Sequence, residues 1–247
     1  MSLGSPRSPA AANRARRAAA WLLTAASVVY NDWLLQFVLP TGLDQRDSYV
    51  SELFAADQPH RILFRCIELA CAILMIGAAF LARGALSQPL AVVGWTAVGA
   101  MGLFSVTDVL MPMRCAPSVQ PGCTAVSLWH AATSGAVHLA LFASMALFIA
   151  ASHRHAPSWP LVHRWGPWLL PASMAAAIAT VGPFFGHPGG QGIAQRIHLV
   201  SVGAWFVLLA AELFRTCPTP RTAPTGAAER GPQDRPVDGA VELDDLA

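Results

Sequence analysis

Six apolar stretches, at roughly 18–40, 62–83, 89–112, 127–151, 166–186 and 195–215, are separated by short polar turns. Each is about 20 residues, the length that carries a helix across a ~30 Å hydrocarbon core. This pattern predicts an all-α fold: a polytopic membrane bundle of six transmembrane helices over 18–215, with the lipid bilayer as its surroundings. Composition agrees, since hydrophobic residues make up 54% of the chain and charged residues 12%, against roughly 25% charged in soluble domains. Six spans and two tails nearly consume the 247 residues, which leaves no room for a separate soluble domain. A net charge of +2 argues against a nucleic-acid partner.

The basic residues orient the bundle. All sixteen are Arg. Eleven of them (Arg7, Arg14, Arg16, Arg17, Arg83, Arg154, Arg164, Arg215, Arg221, Arg230, Arg235) fall in the two tails and in the turns after the second and fourth stretches, with five elsewhere. With an even number of spans those segments share one side, and the excess of Arg makes it the cytoplasm. Both termini are expected there. The first stretch follows an Arg-rich run as a signal peptide would. It is too long for one, however, it contains Asn31 and Asp32, and no clear small-x-small cleavage site follows. Tails 1–17 and 216–247 are expected to be disordered, the second being rich in Pro and ending in acids.

Cys115 and Cys123 lie on the predicted outer side, eight residues apart around Pro117, Pro121 and Gly122. A disulfide-closed loop fits an oxidising compartment, with two unpaired thiols as the alternative. Neither Cys nor His lies close by to complete a Cys-rich zinc site there. Cys66 and Cys71 read as packing residues, and Cys217 as a free cytoplasmic thiol.

The segment 41–60 is more than a loop. Tyr49, Val50, Leu53 and Phe54 are spaced as one face of a short helix lying in the outer interface, with Asp47 or Ser48 at its start. Asp57 is expected to cap the second span. Gly94, Gly99 and Gly102, and the alanines of the fifth stretch, permit close helix approach. Gly182, Pro183 and Gly186 break the fifth stretch at its outer end.

Ionisable residues are costly in hydrocarbon, so those inside the spans are site candidates. Asn31 and Asp32 lie in the outer half of the first span. Arg65 and Glu68 are placed to pair at i, i+3. Asp108 ends the third span, His130, Ser134 and His138 descend the fourth, and Arg196 and His198 open the sixth. Glu52, from the interfacial helix, can fold over them. Nearly all fall in one half of the bilayer. Glu212, near the inner end of the sixth span, reads as a snorkelling pair with Arg215. Three readings compete for the outer set. It can be structural, with charges neutralising one another. It can bind an amphiphile or lipid headgroup, with Glu52, Arg65, Glu68, Asp108, His130 and Arg196 as ligand-binding candidates. Or it can be a metal-dependent hydrolase on a lipid-like substrate, with Asp108, His130 and His198 as weak candidates for zinc ligands. HExxH and GxSxG motifs are both absent.

Ser51-Glu52-Leu53 after the first span, an acid ending the third, a His opening the fourth, and Gly192-Ile193-Ala194-Gln195-Arg196 opening the sixth occur together. In this the chain resembles the bacterial integral-membrane family known as "domain of unknown function 998". The likeness is strongest over GLDQRDSYVSELFAADQPHRILF and covers about 18–215. It implies the six-helix fold and points to Ser51, Glu52, Asp108, His130, Gln195 and Arg196, but carries no reaction. His138 and the Cys115–Cys123 pair are not tied to it. The expectation is a bacterial plasma-membrane protein with an outward-facing polar cavity for a lipid or other amphiphile, Arg196 and Arg65 meeting its anionic part. A structural or assembly subunit is the remaining alternative.

Overall fold

A computed structural model describes residues 8–84, 88–120, 122–123 and 128–216. Residues 1–7 and the tail from 217 onward, with Cys217, lie outside the described residues. The first helix, α1, spans Pro9–Val29. Ser8 caps it by accepting the Ala11 N–H at 3.3 Å, Pro9 occupies its first turn, and the Ala-rich run that follows has high helix propensity. The expected disordered tail therefore does not hold for 9–17, which form the opening turns of α1. The helix also ends early, and Asp32–Phe37 is a 3₁₀ turn. Asn31 donates to the Ser27 carbonyl at 3.0 Å and accepts from the Trp33 indole at 3.1 Å. Such local bonds compete with helix continuation, so Asn31 and Asp32 stand at a break rather than inside a span.

Five further helices follow: α2 (Arg61–Arg83), α3 (Pro89–Leu110), α4 (Leu128–Arg154), α5 (Pro160–Ala179) and α6 (Gln191–Arg215). Each packs on its sequence neighbour, and α6 closes the ring against α1, with α4–α5 the least extensive contact of the six. Four of them, α2, α3, α4 and α6, are long and apolar enough to cross a membrane. In contrast, α1 opens with Arg14, Arg16 and Arg17, and α5 carries His163, Arg164, Pro167 and Pro171. Side chains such as Phe80 (68% exposed) and Leu139 (72% exposed) point away from the bundle. An apolar surface of that extent suits hydrocarbon rather than water. The chain is a multi-pass membrane protein.

The two ends of the bundle differ. Toward the end that carries the start of α1, aromatic side chains fill the interior around Phe148, beside a cavity of about 240 Å³ lined by Gln88, Trp159 and Glu212. Trp95, Trp159 and Trp205 pack around Phe148 with ring centroids 5.1–6.0 Å away. Gly102 of α3 permits the α2–α3 approach, since a Cβ there would sit 2.8 Å from the Ala72 carbonyl oxygen. Glu212, 1% exposed, turns inward at this end. Its carboxylate accepts the Leu161 and Val162 N–H groups at 2.6 and 2.9 Å, capping α5. The pairing with Arg215 exists at 3.9 Å but is secondary.

The opposite end wears a cap of non-helical chain. Residues 38–49 lead into a 3₁₀ helix, Val50–Phe54, where a short helix is expected. Its start is held by Glu52, which accepts the Tyr49 N–H at 2.8 Å. Leu43, Val50, Leu53, Phe54, Phe64 and Ala116 form a small apolar core under the cap. Asp57 does not cap α2: its carboxylate accepts the Ala116 N–H at 3.2 Å and so fastens the loop closed by the Cys115–Cys123 disulfide. Tyr49 donates to the Thr180 carbonyl at 2.7 Å. Burial, then the nearby Glu52 carboxylate, push its phenol up to about 12, so it remains a donor.

The first turn of α6 pins this cap. The Gly192 N–H donates to the Arg46 carbonyl at 2.9 Å and the Gly190 N–H to Asp47 Oδ1 at 2.7 Å. A Cβ on Gly192 would lie 2.5 Å from the carbonyl oxygens of both Gln45 and Ser48. Gly135 on α4, by contrast, faces open space. Gly192→Ala is therefore expected to destabilise by about 1–3 kcal/mol, as overpacking does, and to lower the melting temperature in detergent. Gly135→Ala should be neutral or raise it by up to about 1 kcal/mol of helix propensity. Equal melting temperatures for the two variants would contradict this account of the cap.

Candidate functional site

Beneath the cap lies a polar chamber of about 100 Å³. Every helix but α5 contributes to it, because the polar residues near the capped ends turn inward. Tyr30 and Asp32 come from the end of α1, Glu68 from α2, Ser105 and Asp108 from α3, Ser134 and His138 from α4, and Gln195 and His198 from α6. Ser51 and Phe54 form the lid.

Asp108 is held by α4. It accepts hydrogen bonds from the Thr133 hydroxyl and, at 3.0 Å, from that of Ser134. His130 Nδ1 lies 3.1 Å from the same carboxylate oxygen, within ion-pair distance. That nitrogen is off the hydrogen-bond line and has no bonded partner among the described residues.

Two histidines stack on the other side of the chamber. The His138 and His198 rings are 4.8 Å apart and 16° from parallel. His138 Nδ1 sits 2.7 Å from the Ser134 carbonyl, and His198 Nδ1 sits 3.1 Å from the Ser173 carbonyl. A carbonyl only accepts, so each Nδ1 carries a proton toward it, the Ser173 hydroxyl also lying 3.1 Å from His198 Nδ1; in the neutral form of such a ring Nε2 is an acceptor. Neither Nε2 has a hydrogen-bond partner among the described residues.

A second cavity adjoins the first. A groove of about 340 Å³ runs between α4 and α5, floored by Gly135, Phe142, Met174, Ala177 and Ile178. Ser51, Ser134, His138 and Gln195 line both spaces. The groove follows the α4–α5 seam, where the ring of helices packs least.

Of the residues expected at the site, Glu68 and Asp108 line the chamber and His130 lines the groove beside it. Three others do something else. Arg65 does not pair with Glu68, and its Nε donates to the Phe54 carbonyl at 3.2 Å. Glu52, 1% exposed, is spent on Tyr49 and on both the N–H and the hydroxyl of Ser118. Arg196 gives one nitrogen to the carbonyls of Gln45, Ser48 and Gly192 at 2.7, 3.1 and 2.9 Å and another to the Gln36 side chain. Its guanidinium also lies 5.7 Å from the Trp33 ring. On a helix the side chains of Gln195 and Arg196 diverge by about 100°, so Gln195 faces the chamber and Arg196 the cap. Asp108, His130 and Arg196 thus do not converge on one space. Nor do Asp108, His130 and His198 form one ligand set. Among the described residues no group of three or more His, Cys, Asp or Glu is arranged to hold a metal ion.

Tyr30 and Ser105 join the chamber without having been singled out. Tyr30 directly precedes Asn31 and Asp32, and Ser105 lies one turn before Asp108 on the same helix face. Both are weak signals in a sequence.

The fold and site define a multi-pass helical membrane protein with an acidic chamber at one end of its bundle. The chain belongs to the family described as "Protein of unknown function (DUF998)", which matches residues 18–212. No curated protein and no solved structure matches it.

Proposed function

We propose that this chain is a six-span protein of the bacterial plasma membrane, with both termini cytoplasmic, that binds a lipid or other amphiphile. The polar end of the ligand enters the chamber and its chain lies in the groove. The observation that carries this reading is that the two spaces lie side by side, with Ser51, Ser134, His138 and Gln195 lining both. A polar chamber beside an apolar groove at a helix seam suits a molecule with one polar and one apolar end. The aromatic packing around Phe148 favours binding from one side over passage through the bundle. The Arg distribution, eleven to five, supports an outer position for the chamber. Arg65 and Arg196 are excluded as headgroup contacts in this proposal, because both are engaged by backbone carbonyls.

Orientation is tested by reporter fusions. Those after Arg83, Arg164 and Arg215 should read cytoplasmic and one at Val119 external, and a cytoplasmic signal at Val119 would invert the assignment. Binding is tested at Gly135. Gly135→Phe should fill the groove without touching the chamber, leaving the melting temperature within a few degrees of Gly135→Ala. Lipid co-purifying with the detergent-solubilised protein, measured by mass spectrometry, should fall to background. Unchanged lipid in a well-folded Gly135→Phe protein would remove the amphiphile reading in favour of a structural subunit.

A further inference from the structure

The chamber is one-sided in its chemistry. Asp32, Glu68 and Asp108 all line it, and no Arg does. The two nearest candidates to balance them, Arg65 and Arg196, are bonded to carbonyls of the cap. Glu68 has no hydrogen bond and no ion pair among the described residues.

Three chamber residues that are themselves almost wholly buried also lack partners at the atoms that matter. Tyr30 is 8% exposed, Ser105 1% and His198 1%. The hydroxyls of Tyr30 and Ser105 and the Nε2 of His198 make no hydrogen bond among the described residues, and all three residues line the chamber. These atoms face the space of the chamber, where an occupant can bond them. Carboxylates sharing a small low-dielectric space repel one another, and a cation placed between them relieves this. The imidazole Nε2 atoms add acceptors of the same kind.

On this basis, and resting on the amphiphile reading above, we propose that the chamber receives a primary ammonium group carried on the apolar chain that the groove holds. An ammonium offers three N–H donors and no acceptor, the complement of a wall built of carboxylates and imidazole lone pairs. A quaternary ammonium has no N–H to give, and a carboxylate or phosphate head that carries no amine meets like charge. The Tyr30 and Ser105 hydroxyls can turn their oxygens toward the same group.

The test uses the full-length protein in phosphatidylcholine nanodiscs, titrated with dodecylamine, dodecyltrimethylammonium and dodecanoate, with empty nanodiscs subtracted. Dodecylamine should bind about tenfold or more tighter than either chain-matched control, the scale of one or two charge-assisted hydrogen bonds. Glu68→Gln should weaken it by about tenfold, and Tyr30→Phe, which keeps the ring and its packing, by a few-fold. Lysophosphatidylethanolamine is run in parallel. Binding of either amine supports the proposal, and the tighter of the two separates a bare long-chain amine from an aminophospholipid as the source. Dodecanoate or dodecyltrimethylammonium binding as tightly as dodecylamine would overturn the ammonium assignment while leaving the amphiphile reading intact. Dodecylamine binding that neither variant weakens would place it outside the chamber and also overturn the assignment. No binding of any probe would overturn both.

Discussion

The structure depends on how the first turn of α6 holds a stretch of chain that is not helical. Between α1 and α2 the backbone leaves regular structure for most of some thirty residues, and its carbonyls and amides must still be bonded at the edge of a hydrocarbon phase. The run from Gly190 to Arg196 supplies those bonds. Gly192 brings backbone against backbone, Gln195 accepts the Val50 N–H, and Arg196 collects the carbonyls of Gln45 and Ser48. Arg suits this work because its guanidinium remains charged and donates in several directions at once. Glu52 repeats the logic with the opposite sign by collecting N–H groups of the cap and the disulfide loop.

This arrangement has an electrostatic consequence. The two Arg residues best placed to neutralise the intramembrane acids are committed to the cap, so the chamber beneath remains acidic. Asp108 finds donors on α4, whereas Glu68 finds none. Aromatic side chains pack around Phe148 toward one end of the bundle, and a groove opens along the α4–α5 seam near the other. Space, polarity and access therefore coincide at one place, and the binding proposal follows from that coincidence more than from any single residue.

Much of this was legible in the sequence. The apolar stretches gave the helices, the loop cysteines gave the disulfide, and the clustering of ionisable residues pointed to the end of the bundle where Asp32, Glu68 and Asp108 line the chamber. The glycines and proline after Ala179 marked the end of α5, where Gly186 takes a left-handed φ of 76°. What could not be read was partner choice. Arg196 reaches carbonyls some 150 positions away in the chain, and nothing local distinguishes that from contact with an acid. Arg65 and Glu68 have the spacing of a pair, yet the side chains diverge to the cap and to the chamber. The apolar run through Val29 and Leu39 looked like one helix because hydropathy does not register the Asn31 side-chain bonds that end it. Glu212 looked interfacial because capping α5 requires knowing that the start of α5 lies beside the end of α6.

On the function proposed above, chamber and groove form one site, occupied by a molecule with a polar head and an apolar chain. A cryo-electron-microscopy map of the protein in nanodiscs made from its host's own lipid extract tests it most directly. Elongated density is expected in the groove between α4 and α5, continuous past His138 into the space bounded by Glu68, Asp108 and His198. A groove filled by the side chains of α5, or a chamber holding only isolated water-sized peaks with no density leading into it, would contradict it.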